Sequence, residues 1–267
     1  MTPTPPAPVP AQVDDAPRPG LFITFEGGDG VGKSTQIDRL ATLLVAAHVE
    51  YVRTREPGGT ELGTEIRRLL LDGGHVDPRA EALLYAADRA HHVTTKVRPA
   101  LEAGSVVISD RYLDSSVAYQ GAARDLGPGE VRDLSLWATD GLLPDLTILL
   151  DAEPGLAERR RTVRGEEDRL EREPDAFHQA LREEFLALAA LEPERFVVID
   201  AEQDLETVAR LVAVNVARLV ARRGGGLRSE DAAGAGAGAA EPPSATAAVR
   251  EAVLRRYPDL HASELDG

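Results

Sequence analysis

The stretch "FEGGDGVGKST" (Phe25–Thr35) holds Lys33, one of only two lysines in a chain that otherwise places arginine wherever it places a basic side chain. The residues from Gly27 to Ser34 match G-x-x-x-x-G-K-[ST]. They follow a short apolar run and open an amphipathic one, which is the strand–loop–helix setting of a phosphate-binding loop. A glycine-rich turn lets backbone N–H groups face phosphate oxygens, and the helix N-terminus adds partial positive charge. On this reading Gly27, Gly28, Asp29, Gly30, Val31, Gly32, Lys33, Ser34 and Thr35 cradle a nucleoside triphosphate. Lys33 serves as a compact point charge where a broad guanidinium would not fit. Ser34 offers a hydroxyl to Mg2+.

Outward from the loop, apolar runs alternate with amphipathic ones. The runs are "LFITFE" (21–26), "EYVRT" (50–54), "SVVIS" (105–109), "DLTILLD" (145–151) and "RFVVID" (195–200). Helical patterns cover 33–47, 61–72, 79–103, 114–121, 129–139, 154–163, 174–191 and 204–222. Strands rich in Val, Ile and Leu without polar alternation are buried on both faces. The fold class is therefore α/β, a five-stranded parallel sheet with helices on both faces, and ligands sit beyond the carboxyl ends of the strands.

Residues 1–19 read as a disordered Pro-rich arm, and 20–223 as the folded domain. The Gly/Ala/Pro-rich stretch 224–248 reads as a flexible linker. The last segment, 249–267, can form a short helix before Pro258, below the roughly 12–15 residues an isolated helix needs. It is taken as a disordered tail, with a docking peptide as the alternative, and residues 224–267 are expected to be dispensable for activity.

The 267 residues allow one good-sized domain with extensions, or two small ones. The absence of cysteine excludes disulfides, thiolate zinc sites and cysteine nucleophiles, and fits a reducing cytoplasm. No run approaches the roughly 20 apolar residues of a membrane span. The N-terminus lacks the basic and apolar regions of a secretory signal. A net charge of −15 is a poor footprint for a nucleic-acid polymer. An anionic ligand must then be held by local arginines and backbone amides.

The loop alone leaves the reaction open. There is no N-K-x-D of a switch GTPase, the only asparagine being Asn215, and no strand ends in the adjacent acids of a mechanical ATPase. Instead, strand ends carry "TREPGGT" (54–60), "LLYAADR" (83–89) and "SDRYLDSSVAYQG" (109–121), and "RRRTVRGEEDRLE" (159–171) follows between two helices. In this order and spacing the segments resemble the thymidylate kinase family, across residues 20 to about 222.

The resemblance implies ATP as phosphoryl donor, dTMP as acceptor, dTDP as product, Mg2+ as cofactor and a homodimer in the cytoplasm. Asp110 is similar to the family's acid at the metal–phosphate site, alongside Ser34. Arg111 and Arg67 would hold the dTMP phosphate, a task suited to a bidentate guanidinium. Tyr85 would stack on thymine, and Arg89, four residues on and on the same helix face, would donate to its O4. Gln120 would pair with the base edge, Ser116 would assist, and Tyr119 would crowd the 2′ position. Asp29 would meet the 3′-hydroxyl, with Glu56 near the sugar and metal. The family supplies a catalytic arginine either within the loop, where this chain has Gly30, or from a lid, here about 159–172. Arg159, Arg160, Arg161 and Arg164 occupy that lid, and Arg164 matches best. Lys33, Arg111, Arg164 and Asp110 form the expected catalytic set. The pair His91–His92 reads as helix surface. Rival readings are a kinase for another nucleotide or a nucleoside, and a nucleotide-binding regulator without catalysis.

Overall fold

A computed structural model describes residues 19–153, 155, 169–229 and 244–266. Five strands, β1 (Leu21–Glu26), β2 (Tyr51–Arg55), β3 (Val106–Asp110), β4 (Leu146–Asp151) and β5 (Phe196–Asp200), make one parallel sheet ordered β2-β3-β1-β4-β5. Among the described residues the helices are α1 (Lys33–Ala46), α2 (Glu61–Leu71), α3 (Pro78–His92), α4 (Arg98–Glu102), α5 (Leu113–Ser116), α6 (Pro128–Thr139), α7 (Asp175–Leu191), α8 (Leu205–Arg223) and α9 (Ala245–Arg256). No helix among these residues is long and apolar enough to cross a membrane.

The continuous apolar runs have a simple cause. Successive strand side chains point to opposite faces, and both faces of the inner strands are covered. Leu21, Ile23 and Phe25 enter a core shared with α1 and α8, whereas Phe22 enters a second core with Phe185 of α7. Val107 and Leu149 likewise face away from Ile108 and Ile148. Thr24 and Thr147 are among the buried hydroxyls that interrupt the pattern, and they satisfy each other at 3.0 Å.

From β1 the chain crosses through α1 to β2, leaving a gap that β3 later fills, while β4 pairs on the other side of β1. Connections therefore diverge at the carboxyl end of β1 and open a crevice there.

Two expected helices are interrupted. Between α3 and α4 the turn widens over Val93–Val97, just before Pro99, which has no N–H to donate. After α5 a second widened turn spans Val117–Ala123 and closes with Arg124 N–H donating to Tyr119 O at 3.0 Å.

The C-terminal segment departs from expectation. Its helix begins at Ala245, capped by Ser244, which accepts from Ala247 N–H at 3.3 Å. Val249 and Val253 are fully buried, and Tyr257, Leu260 and Leu265 join the core formed with α1 and α8. Arg218 of α8 donates to Glu264 O at 2.9 Å, and Arg210 pairs with Asp259 at 2.7 Å. Residues 224–229 are seated as well, with Arg228 N–H donating to Gly104 O at 3.0 Å. A helix too short to stand alone is stable here because its apolar stripe is buried by neighbours. The tail belongs to the core.

Candidate active site

The loop after β1 folds tightly over the sheet. Gly27 has φ 126°, and a Cβ there would lie 2.3 Å from Leu150 O. Gly30, where the alternative architecture carries an arginine, has φ 86°, a region that L side chains rarely adopt. Val31 turns its side chain into the core beneath the loop, so only its backbone is available to a ligand. Lys33 heads α1 and donates through Nζ to Gly27 O at 3.0 Å and Gly28 O at 2.7 Å. Burial first, and then the charge of Arg111, bring the Lys33 ammonium down to about 8.

Ser34 Oγ donates to Asp110 Oδ2 at 3.1 Å. A hydroxyl and a carboxylate at the mouth of the loop are hard oxygen donors. Two of them suit a cation that keeps waters and substrate phosphates among its ligands, so these residues fit Mg2+. Among the described residues no group of three or more His, Asp or Glu is placed to hold a metal without a substrate.

Arg111, just past β3, is a non-glycine residue at φ 71°, a costly conformation that surrounding bonds must hold. Its N–H donates to Phe25 O at 3.0 Å, and its carbonyl accepts from Ser109 Oγ at 2.8 Å. The next residue, Tyr112, donates its N–H to Glu26 Oε1 at 2.8 Å. The guanidinium donates to Gly27 O, Ser115 Oγ and Tyr119 OH, each at 3.0 Å, and to Asp29 Oδ1 at 2.6 Å. Tyr119 OH also donates to Asp29 Oδ2 at 2.7 Å. Although burial opposes it, the charges of Arg111 and Lys33 hold the Asp29 carboxyl well below the usual range.

Glu26, which the motif reading passed over, accepts from Ser115 Oγ at 2.6 Å as well as from Tyr112. Burial, with Asp114 nearby, raises its carboxyl above the ordinary range. Its place at the end of β1, as Asp110 ends β3, sets Glu26 beside the loop, but its donors come from 86 and 89 positions away and no local pattern gives them.

All the residues expected around the acceptor line one cavity. Asp29, Glu56, Arg67 and Arg111 also line the adjoining cleft, where Lys33, Ser34, Thr35 and Asp110 lie. These four thus form a shared wall. Arg67, half-buried on α2, donates to Pro57 O at 3.1 Å. Arg55, which received no role from its motif, faces the same cleft.

Deeper in, Arg89 is 1% exposed. It donates to Glu56 Oε2 at 2.7 Å, Ser135 Oγ and Ser116 Oγ at 3.0 Å, and Tyr112 O at 3.2 Å. A guanidinium has five N–H groups, so one remains for a ligand. Ser116, at the end of α5, and Tyr119 and Gln120, in the widened turn that follows, line this cavity. Tyr85 borders it while packing against the second core.

Glu56, which lines both the cavity and the cleft, also holds a buried histidine. Its other oxygen lies 2.8 Å from His92 Nδ1, and His92 Nε2 lies 2.6 Å from Thr54 Oγ1. His92 is fully buried, which corrects its reading as helix surface; the carboxylate and hydroxyl that satisfy it come from the β2 strand and the turn that follows.

The arginines expected in a lid, Arg159, Arg160, Arg161 and Arg164, lie outside the described residues. From the end of that segment, Leu170 borders the acceptor cavity and Glu171 the phosphate cleft.

A phosphate loop on the central strand of a parallel sheet, facing a separate arginine-walled chamber, places the molecule among the phosphate-loop nucleotide kinases. The sequence model of the thymidylate kinase family matches residues 25–212. A thymidylate kinase of Leifsonia xyli subsp. xyli is 63% identical over 194 residues, which cover 72% of this chain and 92% of that protein. Thymidylate kinases of Clavibacter michiganensis subsp. michiganensis (58% over 204 residues, 76% and 97% covered) and Bifidobacterium longum (56% over 205 residues, 75% and 98% covered) are also similar. The chain belongs to the thymidylate kinase family. Helix α9 lies beyond the residues the family model matches.

Proposed function

We propose that the chain transfers the γ-phosphoryl group of ATP to dTMP, giving ADP and dTDP. The observation that carries this reading is the wall of Asp29, Glu56, Arg67 and Arg111 common to the phosphate cleft and the acceptor cavity. A phosphate dianion gripped there by Arg67 and Arg111 lies beside the γ-phosphate position, oriented for in-line attack. Such transfer needs positioning and charge neutralisation more than a strong base.

Lys33 exchanges the Gly27 and Gly28 carbonyls for β- and γ-phosphate oxygens. Ser34 and Asp110 would hold Mg2+, which would supply charge neutralisation to those phosphates. Asp29, relieved of part of its bond to Arg111, accepts from the 3′-hydroxyl, and Tyr119 OH beside it leaves no room for a 2′ group. Arg89 donates its remaining N–H to thymine O4, Tyr85 covers the ring, and Gln120 meets the edge. Arg164 acts as the lid arginine, supplying in cis the charge that the loop, with Gly30, lacks.

A homodimer is supported by large apolar side chains exposed on adjacent helices: Leu69 of α2 (49%), Leu83 of α3 (59%) and Trp137 of α6 (78%). Trp137→Glu is expected to shift the chain to a monomer in light scattering. The cytoplasm, where ATP is abundant, is the proposed location.

Coupled ADP release with dTMP, dUMP, dCMP, AMP and thymidine as acceptors tests the reading. We expect dTMP to lead; a preference under about tenfold would overturn the pocket assignment. ATP binding without any stimulation by dTMP would favour a non-catalytic regulator.

A further inference from the structure

Glu81 lies one turn before Tyr85 on α3 and is fully buried. An acid at that depth needs partners, and neither the phosphate loop nor the arginine motifs explains it. Its carboxylate accepts from Gln120 Nε2 at 2.9 Å, from Arg124 Nε at 3.5 Å and from Arg169 Nη2. Arg169 also donates to Leu70 O at 2.8 Å, and Arg124 to Glu173 at 2.6 Å. Both guanidinium groups are therefore anchored from two sides.

A carboxylate between two guanidinium groups only accepts. The Gln120 amide must then turn its NH2 toward Glu81, which leaves its oxygen for the cavity that Gln120 lines. Without Glu81 the amide could rotate by half a turn and present either end, since its two heads have nearly the same shape. Thymine and uracil carry a donor, N3–H, on the ring edge. Cytosine carries a bare nitrogen lone pair at the same place.

We propose that Glu81 is a specificity-determining positioning residue, which captures the Gln120 amide nitrogen so that an oxygen faces the acceptor's base and selects rings bearing N3–H over cytosine. The inference rests on the thymidylate reading of this cavity. An oxygen set against the cytosine lone pair leaves two buried acceptors facing each other, an arrangement that rejects a ligand far more strongly than a loose apolar fit does.

The test compares kcat/KM for dTMP, dUMP and dCMP in the full chain and in Glu81→Gln. Position 81 can then donate, so the Gln120 amide is free to turn. The dTMP:dCMP ratio is expected to fall by about tenfold or more, carried by KM, with kcat for dTMP within about threefold and dUMP following dTMP. A merely structural role for Glu81 would depress all acceptors in parallel and leave the ratio unchanged, which would overturn the proposal. Glu81→Asp still only accepts and should keep the ratio within about threefold, even with a lower Tm; a ratio lost as in the Gln variant would also overturn it. Should Glu81→Gln not fold, Glu81→Met, which has neither carboxylate oxygen, carries the same expectation. A wild-type chain indifferent to dTMP and dCMP would sink the thymidylate reading together with this one, whereas a selective wild type whose Gln or Met variant keeps the same dTMP:dCMP ratio would sink this one alone.

Discussion

At the phosphate end of the joined cavity, the cations wait on groups that a phosphate can replace. Lys33 rests on the Gly27 and Gly28 carbonyls, and Arg111 on the Asp29 carboxylate. At the base end, Arg89 is enclosed by Glu56, Ser135, Ser116 and the Tyr112 carbonyl, with a single N–H left over. The first arrangement trades one acceptor for another when substrate arrives, at little cost. The second cannot yield, and rigidity is what discrimination between bases requires, because a donor that could turn aside would accommodate the wrong ring. One cavity thus combines exchangeable charge with fixed hydrogen-bond geometry.

The sharpest way to break this comparison is Arg89→Met. Removing the guanidinium leaves Glu56 buried without its charge partner, and a loss of about 3–5 kcal/mol in unfolding free energy is expected from urea denaturation. A loss under about 1 kcal/mol would mean that the base end is as yielding as the phosphate end. Lys33→Met tests the other side. It should lower kcat/KM by up to about 10³-fold, or roughly 4 kcal/mol, while unfolding free energy shifts by less than about 1 kcal/mol. A large stability loss there would erase the contrast.

Arg164→Ala should reduce kcat by about 10²-fold and leave dTMP affinity unchanged, because its charge is needed mainly in the transition state. An equal loss of dTMP binding would move Arg164 from the transferring phosphoryl group to the acceptor. The smallest effect concerns pH. Lys33 must carry its proton to grip phosphate, and with a value of about 8 it loses that proton as pH rises through this point. We expect kcat/KM for ATP to fall about tenfold from pH 8 to pH 9 or slightly above. By contrast kcat should stay level, since bound phosphates hold the proton on. A kcat that falls in step would show that the ammonium gains no support from the nucleotide.

The strands and the phosphate loop could be read from residue order because each signal is local, whereas the acceptor arginines were expected from the family resemblance. β1 ends, turns and enters α1 within consecutive residues. The roles of Glu26, Glu81 and His92 could not be read so. Glu26 meets Ser115 from 89 positions away, and Glu81 meets Arg169 from 88; no local pattern marks an acid whose donors arrive from another strand or helix. The same holds for α9. Its valines at 249 and 253 lie at helical spacing, yet the length rule for isolated helices pointed to disorder, and the burial that stabilises it comes from α1 and α8. Composition, periodicity and one motif thus specified the sheet and the phosphate loop, and the family resemblance supplied the residues expected around the acceptor. Folding settled which of them are already saturated and which remain free to change partners, because hydrogen-bond saturation depends on neighbours that meet only when distant segments pack.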